Sequence, residues 1–306
     1  MPETSISKPA PLSKAAIFFR RLGSFVFLWT VVLGALFSGH KALSDYVFLL
    51  IILLLAVSGL LEFYGMAHKL NYACYPAFGV GGGVLLILST FFCISGEFGM
   101  PVTPSRMNDR ETIFIILFVL GLCVRQFASR RVSTGIIAIS TTLFGMMYVP
   151  WLLNFIQKIN FFSQAGVQGP YYVLYFVLVT KFSDCGAYAV GSLIGRHKMI
   201  PRISPGKTWE GFGGAVVVST AASVIFARCA GNHLAGMTLM HSIILGIILS
   251  TAAVVGDLIE SLFKREAGLK DSGSMFPGIG GILDLLDSLL FNAPIMYLYL
   301  RHVLTT

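Results

Sequence analysis

The sequence predicts an all-α, polytopic integral membrane protein with about nine transmembrane helices, its N-terminus cytosolic and its C-terminus outside. Three observations carry that prediction. Hydrophobic residues make up 56% of the 306 and charged residues only 12%, with a mean hydropathy of +0.80, which is too apolar for a soluble chain of this length. The apolar residues fall into about nine windows, each long enough to cross a bilayer. The basic residues alternate in density between successive connections.

Residues 1–16 form a polar tail with Pro2, Pro9 and Pro11, and no order is expected there. The apolar stretch from Leu22 is too long for the core of a cleavable signal and no small-residue cleavage site follows it, so it reads as a span. The windows run Leu22 to Gly39, Tyr46 to Ala67, Ala77 to Ser95, Thr112 to Ala128, Thr134 to Ile156, Tyr171 to Gly191, Phe212 to Ala230, His241 to Phe263 and Ile282 to Arg301. They divide into an N-terminal transmembrane region, 17–170, with about five helices, and a C-terminal region, 171–306, with about four. The second region carries two cytosolic loops, 192–211 and 264–281. The connections leave no room for a soluble domain, and no internal repeat is evident.

With the N-terminus inside, fifteen of the 22 Lys and Arg lie on the inner side and six on the outer, with Lys181 within a span. This asymmetry fixes the orientation and accounts for much of the +8 net charge. It also gives the inner face affinity for anionic lipids and nucleotides. No nucleic-acid partner is expected, because no basic stretch is interleaved with exposed aromatics. Cys74, Cys93, Cys123, Cys185 and Cys229 have no CxxC spacing and read as reduced packing residues, and the six histidines lack zinc-site spacing. Gly81, Gly82 and Gly83 read as a close helix-packing patch.

The chemistry concentrates in the stretch from Ser261 to Asp287. Lys264, Arg265, Lys270 and Asp271 precede the breaker run Pro277, Gly278, Gly280 and Gly281, and Asp284 and Asp287 open the last span. Asp284 and Asp287 are three apart and share a helix face, as do Asp257 and Glu260 on the preceding span. Asp184 lies about seven residues from the inner end of its span and Asp257 about six from its own. At 1.5 Å per residue, Asp184, Asp257, Asp284 and Asp287 all fall within roughly 10 Å of one surface. A carboxylate near hydrocarbon costs several kcal/mol unless it is paired, protonated or metal-bound. Pairing with Lys181, Lys264 or Arg265 would explain any one of them as a helix lock, but four acids exceed what locking requires. Acids on facing helices with lysines and arginines between them suit a divalent cation that holds a polyphosphate.

The loop from Arg196 to Gly214 is basic, with Ser204, Pro205 and Gly206 expected to form a turn and Thr208 to cap the helix that follows. Backbone N–H groups at a helix start beside Lys207 make a phosphate site, while the bland reading is a capped positive-inside loop. The run Gly206-Lys207-Thr208 is not a P-loop, because position 201 is Pro where that motif requires glycine. Gly280 and Gly281 permit a close backbone approach to a ligand, or merely a re-entry bend.

From Phe182 onward these elements resemble the phosphatidate cytidylyltransferases, or CDP-diacylglycerol synthases. The resemblance rests on Asp184 with Ala187, Tyr188 and Gly191; on SPGKTWEG, Ser204 to Gly211; on GDLIESLFKR, Gly256 to Arg265; and on Lys270 and Asp271 followed by PGIGGILDLLD, Pro277 to Asp287. It covers the C-terminal 40% of the chain, roughly, while the N-terminal half is similar only as a run of spans. The chain departs from the family pattern in carrying Ile279 for a histidine, Leu285 for an arginine and Gly206 for a second lysine. The missing arginine implies that another cation compensates or that metal binding does not need it.

The resemblance implies that CTP and phosphatidate give CDP-diacylglycerol and pyrophosphate, with Mg2+ required and a second cation allowed for. It implies that Asp184, Asp257, Asp284 and Asp287 serve the metal, that Lys264 and Arg265 join the aspartates in catalysis, and that Ser204, Lys207, Thr208, Lys270, Asp271, Gly280 and Gly281 contact substrate. Membrane lipids are expected around it, a homodimer is a family-based expectation, and the expected setting is a bacterial inner membrane with the site facing the cytosol. Three other readings stand beside it: a related transferase or kinase acting on an isoprenoid lipid, a cation or proton transporter, and an inactive relative kept for assembly. A transporter would place its acids near the midplane with access from both sides.

Overall fold

The computed structural model describes residues 23, 26, 29–95, 104–129, 134–162, 166–273 and 280–305. The polar tail, Lys8, Lys14, Arg20, Arg21, Arg130, Arg131, the middle of the outer loop before Glu111, and Pro277, Gly278 and Ile279 lie outside the described residues. After a helical stretch at 29–37 come eight helices: α1 (Lys41–Lys69), α2 (Pro76–Ile94), α3 (Pro104–Phe127), α4 (Gly135–Asn160), α5 (Gly169–Ile194), α6 (Trp209–His233), α7 (Leu239–Glu266) and α8 (Ile282–Leu304). All except α3 are long and apolar enough to cross a bilayer, and they coincide with seven of the nine windows. The Thr112–Ala128 window is α3, whose first turns carry Asp109, Arg110 and Glu111, and the Leu22–Gly39 window is only partly described.

Local sequence sets where helices start and bend. Pro76 and Pro170 open α2 and α5 at positions where a missing N–H leaves no bond unmade. Thr208 and Thr238 cap α6 and α7, their hydroxyls accepting the N–H of Gly211 at 3.1 Å and of His241 at 3.3 Å. Pro150 sits in a π-helical turn, Met147–Trp151, within α4, where the chain widens around the absent donor.

Helices α5 to α8 pack in sequence, each on the next. Glycine lets α5 and α6 approach closely: a Cβ at Gly186 would stand 2.6 Å from the Gly214 carbonyl oxygen. Gly82 and Gly83 likewise leave room for Phe118 and Pro150, whereas Gly81 faces open space, so two of the three predicted packing glycines pack. Helices α1, α2 and α4 back this group, and Phe63 of α1 and Tyr148 of α4 meet Phe263 of α7 at ring separations of 6.5 and 5.5 Å. The main apolar core draws on residues from Ala35 to Leu304, a second cluster gathers Leu86, Phe118, Leu122 and Met146, and exposed Leu54, Leu85, Leu117 and Val217 face outward as lipid-contacting side chains do.

The loop before α6 is a short antiparallel hairpin of β1 (Lys198–Ile200) and β2 (Ser204–Thr208). The turn therefore lies at 201–203, not at Ser204–Gly206 as expected, because the hydroxyl-capped start of α6 continues back into an extended strand. Of the five cysteines, expected as packing residues, Cys93 is buried and Cys74 half-buried, whereas Cys123, Cys185 and Cys229 are exposed.

Lys158, one of the six basic residues that the charge asymmetry assigns to the outer side, is buried at 3% exposure. Its ammonium lies 2.5 Å from Glu111, whose other oxygen accepts from Asn154 Nδ2 at 2.8 Å. Removing one partner leaves a buried charge uncompensated. Lys158→Met should lower unfolding stability in detergent by about 3–5 kcal/mol, and adding Glu111→Gln should recover most of it; thermal melts of the single and double variants check this.

Candidate active site

The C-terminal ends of α5 and α7, the hairpin and the N-terminal ends of α6 and α8 meet at one edge of the bundle. They enclose a cavity of 590 Å³, a volume typical of small-molecule sites. Asp184 of α5, Asp257 of α7 and Asp284 and Asp287 of α8 all line it, with Ser204, Lys207 and Thr208 of β2 and Lys264 of α7.

Close approach of α7 and α8 sets the acidic floor. A Cβ at Gly256 would stand 2.6 Å from the Asp287 carbonyl oxygen, so the absent side chain lets Asp257 and Asp287 face one space. Carboxylate oxygens of Asp257, Glu260 and Asp287 lie within 4.8 Å of one another. Glu260 is wholly buried, and its Oε1 has no hydrogen-bond donor among the described residues. Asp287 is 8% exposed and has Asp184, Asp257 and Lys181 as its charged neighbours.

Lysines meet these acids from three elements. Lys207 Nζ reaches Asp257 Oδ2 at 2.7 Å and the Val254 carbonyl at 3.2 Å, pinning the hairpin to α7. Lys264 bridges Glu260 on its own helix and Asp284 Oδ1 at 2.6 Å on α8. Lys181 lies 3.4 Å from Asp184 Oδ2 and 3.3 Å from the Leu285 carbonyl. A cation thus stands against the backbone at Leu285, although its side chain carries none. At Gly206 a Cβ would meet nothing within 4 Å, so the rim has open space there.

Some candidate residues are placed elsewhere. Arg265 donates to the Ile203 carbonyl at 3.1 Å and the Leu269 carbonyl at 3.4 Å, tying two loops together outside the cavity lining. Lys270 and Asp271 are exposed and do not line the cavity as described, and neither do Gly280 and Gly281. Gly280 takes φ 108°, a backbone that favours glycine, and Gly281 donates its N–H to Asp284 Oδ2 at 2.8 Å.

A sequence profile described as "Cytidylyltransferase family" matches residues 19–303. The chain belongs to the cytidylyltransferase family. Nucleotidyl transfer is the chemistry that this membership carries. Phosphatidate cytidylyltransferase of Staphylococcus saprophyticus is 31% identical over 253 residues, 82% of this chain and 91% of that protein. Phosphatidate cytidylyltransferase of Mycobacterium bovis is 37% identical over 155 residues, 51% of this chain and 48% of its own length. A protein of Escherichia coli named uncharacterized protein YnbB is 34% identical over 162 residues, 53% of this chain and 51% of its own. The match therefore spans about half the length of the last two.

The donor set fits a hard divalent cation. Asp184, Asp257, Asp284 and Asp287 line the cavity and Glu260 lies buried beside Asp257 and Asp287, five carboxylates against the ammonium groups of Lys181, Lys207 and Lys264. Fully ionised, they leave two negative charges over, which one Mg2+ would balance with oxygen ligands of the kind it prefers. Glu260, Lys181 and Glu62, described below, are the participants that motif reading left out of the site.

A bulkier residue at Gly256 should part α7 from α8. Gly256→Val is expected to weaken Mn2+ binding about tenfold or more, while Gly206→Val, at an open position, stays within about twofold; calorimetric titration of both variants with Mn2+ measures this.

Proposed function

We propose that this protein is a CTP:phosphatidate cytidylyltransferase that makes CDP-diacylglycerol and pyrophosphate, with its site on the cytosolic face of a bacterial inner membrane. The observation that carries the reading is the cavity itself, with a floor of carboxylates and lysines at a helix-end edge and exposed apolar side chains at its mouth. Tyr188 is 80% exposed and lines it, and Leu193 and Ile194 extend the apolar surface beyond. An ionic floor under an apolar rim suits a lipid phosphate whose chains stay in the bilayer. Two named relatives carry the proposed activity in their names.

In the proposed reaction a phosphate oxygen of phosphatidate attacks the α-phosphorus of CTP. A P–O bond forms there as the bond to the bridging oxygen of the β-phosphate breaks, and pyrophosphate leaves with that electron pair. The attacking phosphate is already ionised near pH 7, so no residue has to act as general base. Both reactants are anionic, and their repulsion is the main obstacle. Asp257, Glu260 and Asp287 would hold Mg2+, which when bound supplies charge neutralisation and alignment. Lys207 and Lys264 line the cavity, where their ammonium groups can meet phosphate oxygens as charge shifts towards the leaving group, and Lys181 pairs with Asp184 of the same lining. Thr208 and Ser204 of β2 offer hydroxyls on the hairpin side of the same space. A transport role has less support, since the acids line one cavity together with a basic hairpin.

The test is transfer of radiolabel from α-labelled CTP into lipid by the purified protein with phosphatidate and Mg2+. Asp287→Asn and Asp257→Asn should each lower kcat by about a hundredfold or more with folding retained. Unchanged turnover in both, or label entering a polyprenyl phosphate in preference, would overturn the assignment.

A further inference from the structure

Helix α8 presents Asp284 and Asp287 to the cavity from its first turn and a half, so their placement depends on how that end is held. The first N–H groups of a helix have no partner within it. Its cap position is Gly281, which has no side chain to offer. The missing acceptor comes from the other half of the chain. Glu62 of α1 accepts the N–H of Ile282 on Oε1 and that of Leu283 on Oε2, both at 2.9 Å. Its Oε2 also accepts from the Ser272 hydroxyl at 3.0 Å, a hydroxyl that stands 3.1 Å from Asp284 Oδ2 and shares its single proton between the two.

The loop is built around this carboxylate. A Cβ at Gly273 would fall 2.2 Å from Glu62 Oε1, and one at Gly281 would fall 2.5 Å from Glu62 Oε2 and 2.1 Å from Ser272 Oγ. Both glycines thus leave the space that the acid fills. Asp284, whose other oxygen is held by Lys264, accepts the Gly281 and Ser272 N–H groups at 2.8 and 3.2 Å. Glu62 and Asp284 thereby satisfy successive donors at Gly281, Ile282 and Leu283, and a negative charge at a helix N-terminus is favoured by the helix dipole. Glu62 is also the only charged residue in the apolar window Tyr46 to Ala67. A lone acid there has to be accounted for.

We propose that Glu62 is a positioning residue of the active site: supplied by the N-terminal region, it clamps the start of α8 and so sets where Asp284 and Asp287 stand in the cavity. It lines no part of the cavity and touches no reacting group; it acts through the backbone of Ile282 and Leu283. The proposal rests on the reading of the cavity as a metal and nucleotide site, and the test separates the two.

Glu62→Gln keeps shape and folding while offering one acceptor oxygen to two N–H groups, and Glu62→Asp keeps the charge on a shorter arm. Three readouts are taken on the full-length protein: amide hydrogen exchange of a peptide starting at Gly281, Mn2+ concentration at half-saturation, and kcat with KM for CTP. Expected for Glu62→Gln are exchange in that peptide accelerated about tenfold, half-saturation raised about tenfold, and a comparable loss in kcat/KM, with exchange elsewhere unchanged. Glu62→Asp should fall between it and the parent. Unchanged exchange overturns the clamp. Faster exchange or a lower melting temperature with unaltered Mn2+ affinity and kcat/KM also overturns it, leaving a structural cap only. A parent that lacks cytidylyl transfer, with exchange and Mn2+ affinity shifting together in Glu62→Gln, sinks the proposed activity and keeps the clamp.

Discussion

Lys264 joins the two helices on which the site is built. Its ammonium lies between Glu260, wholly buried on the same helix, and Asp284 in the first turn of α8. An isolated buried carboxylate is expensive, and a cation shared between helices offsets that only while the helices hold their spacing. The lysine therefore fixes a distance as well as a charge. Gly256 allows that distance from one side by bringing the Asp287 backbone against α7, and Asp284 transmits it to the loop through Gly281 and Ser272. The neighbouring carboxylates of Asp257 and Asp287 come within 4.8 Å of Glu260, an oxygen-rich cluster of the kind a divalent ion takes.

On the proposed reading, this arrangement explains why a nucleotide site is made from membrane helices. Helix ends at a bilayer edge offer polar backbone to one side and hydrocarbon to the other, so a phosphate and its acyl chains can occupy adjoining environments without either crossing the membrane. The basic hairpin closes the polar side through Lys207 on Asp257, and Glu210 secures the hairpin to α6 by accepting the Arg196 and His197 N–H groups at 3.2 Å. The N-terminal helices supply the rigid back through Phe63 and Tyr148 on Phe263.

Much of this was legible in the residues. Hydropathy alone located seven spans, since each must satisfy its backbone internally over a bilayer's thickness. The depth argument placed Asp184, Asp257, Asp284 and Asp287 together because helix rise is fixed, and the four do line one cavity. Less legible was which charges aim inward. Arg265 follows Lys264 directly, yet the helical turn of about 100° per residue sends it to the loop carbonyls of Ile203 and Leu269. Glu260 was visible as the helical neighbour of Asp257 but not as a member of the cluster, which depends on the packing of α7 against α8. Glu62 had a signal, a single acid in an apolar window, but its partner lies 220 residues away and only the fold brings them together. The strand from Ser204 to Thr208 is hidden in the sequence, because it contains Pro205 and Gly206, both turn-forming by local rule.

On the proposed reading, acids from α7 and α8 hold one divalent ion at the cavity floor. A crystal of the protein soaked in Mn2+ and measured at the manganese absorption edge tests it most directly. The account predicts an anomalous peak within coordinating distance of Asp257, Glu260 and Asp287; a peak confined to other positions, with these three side chains ordered and bare, would contradict it.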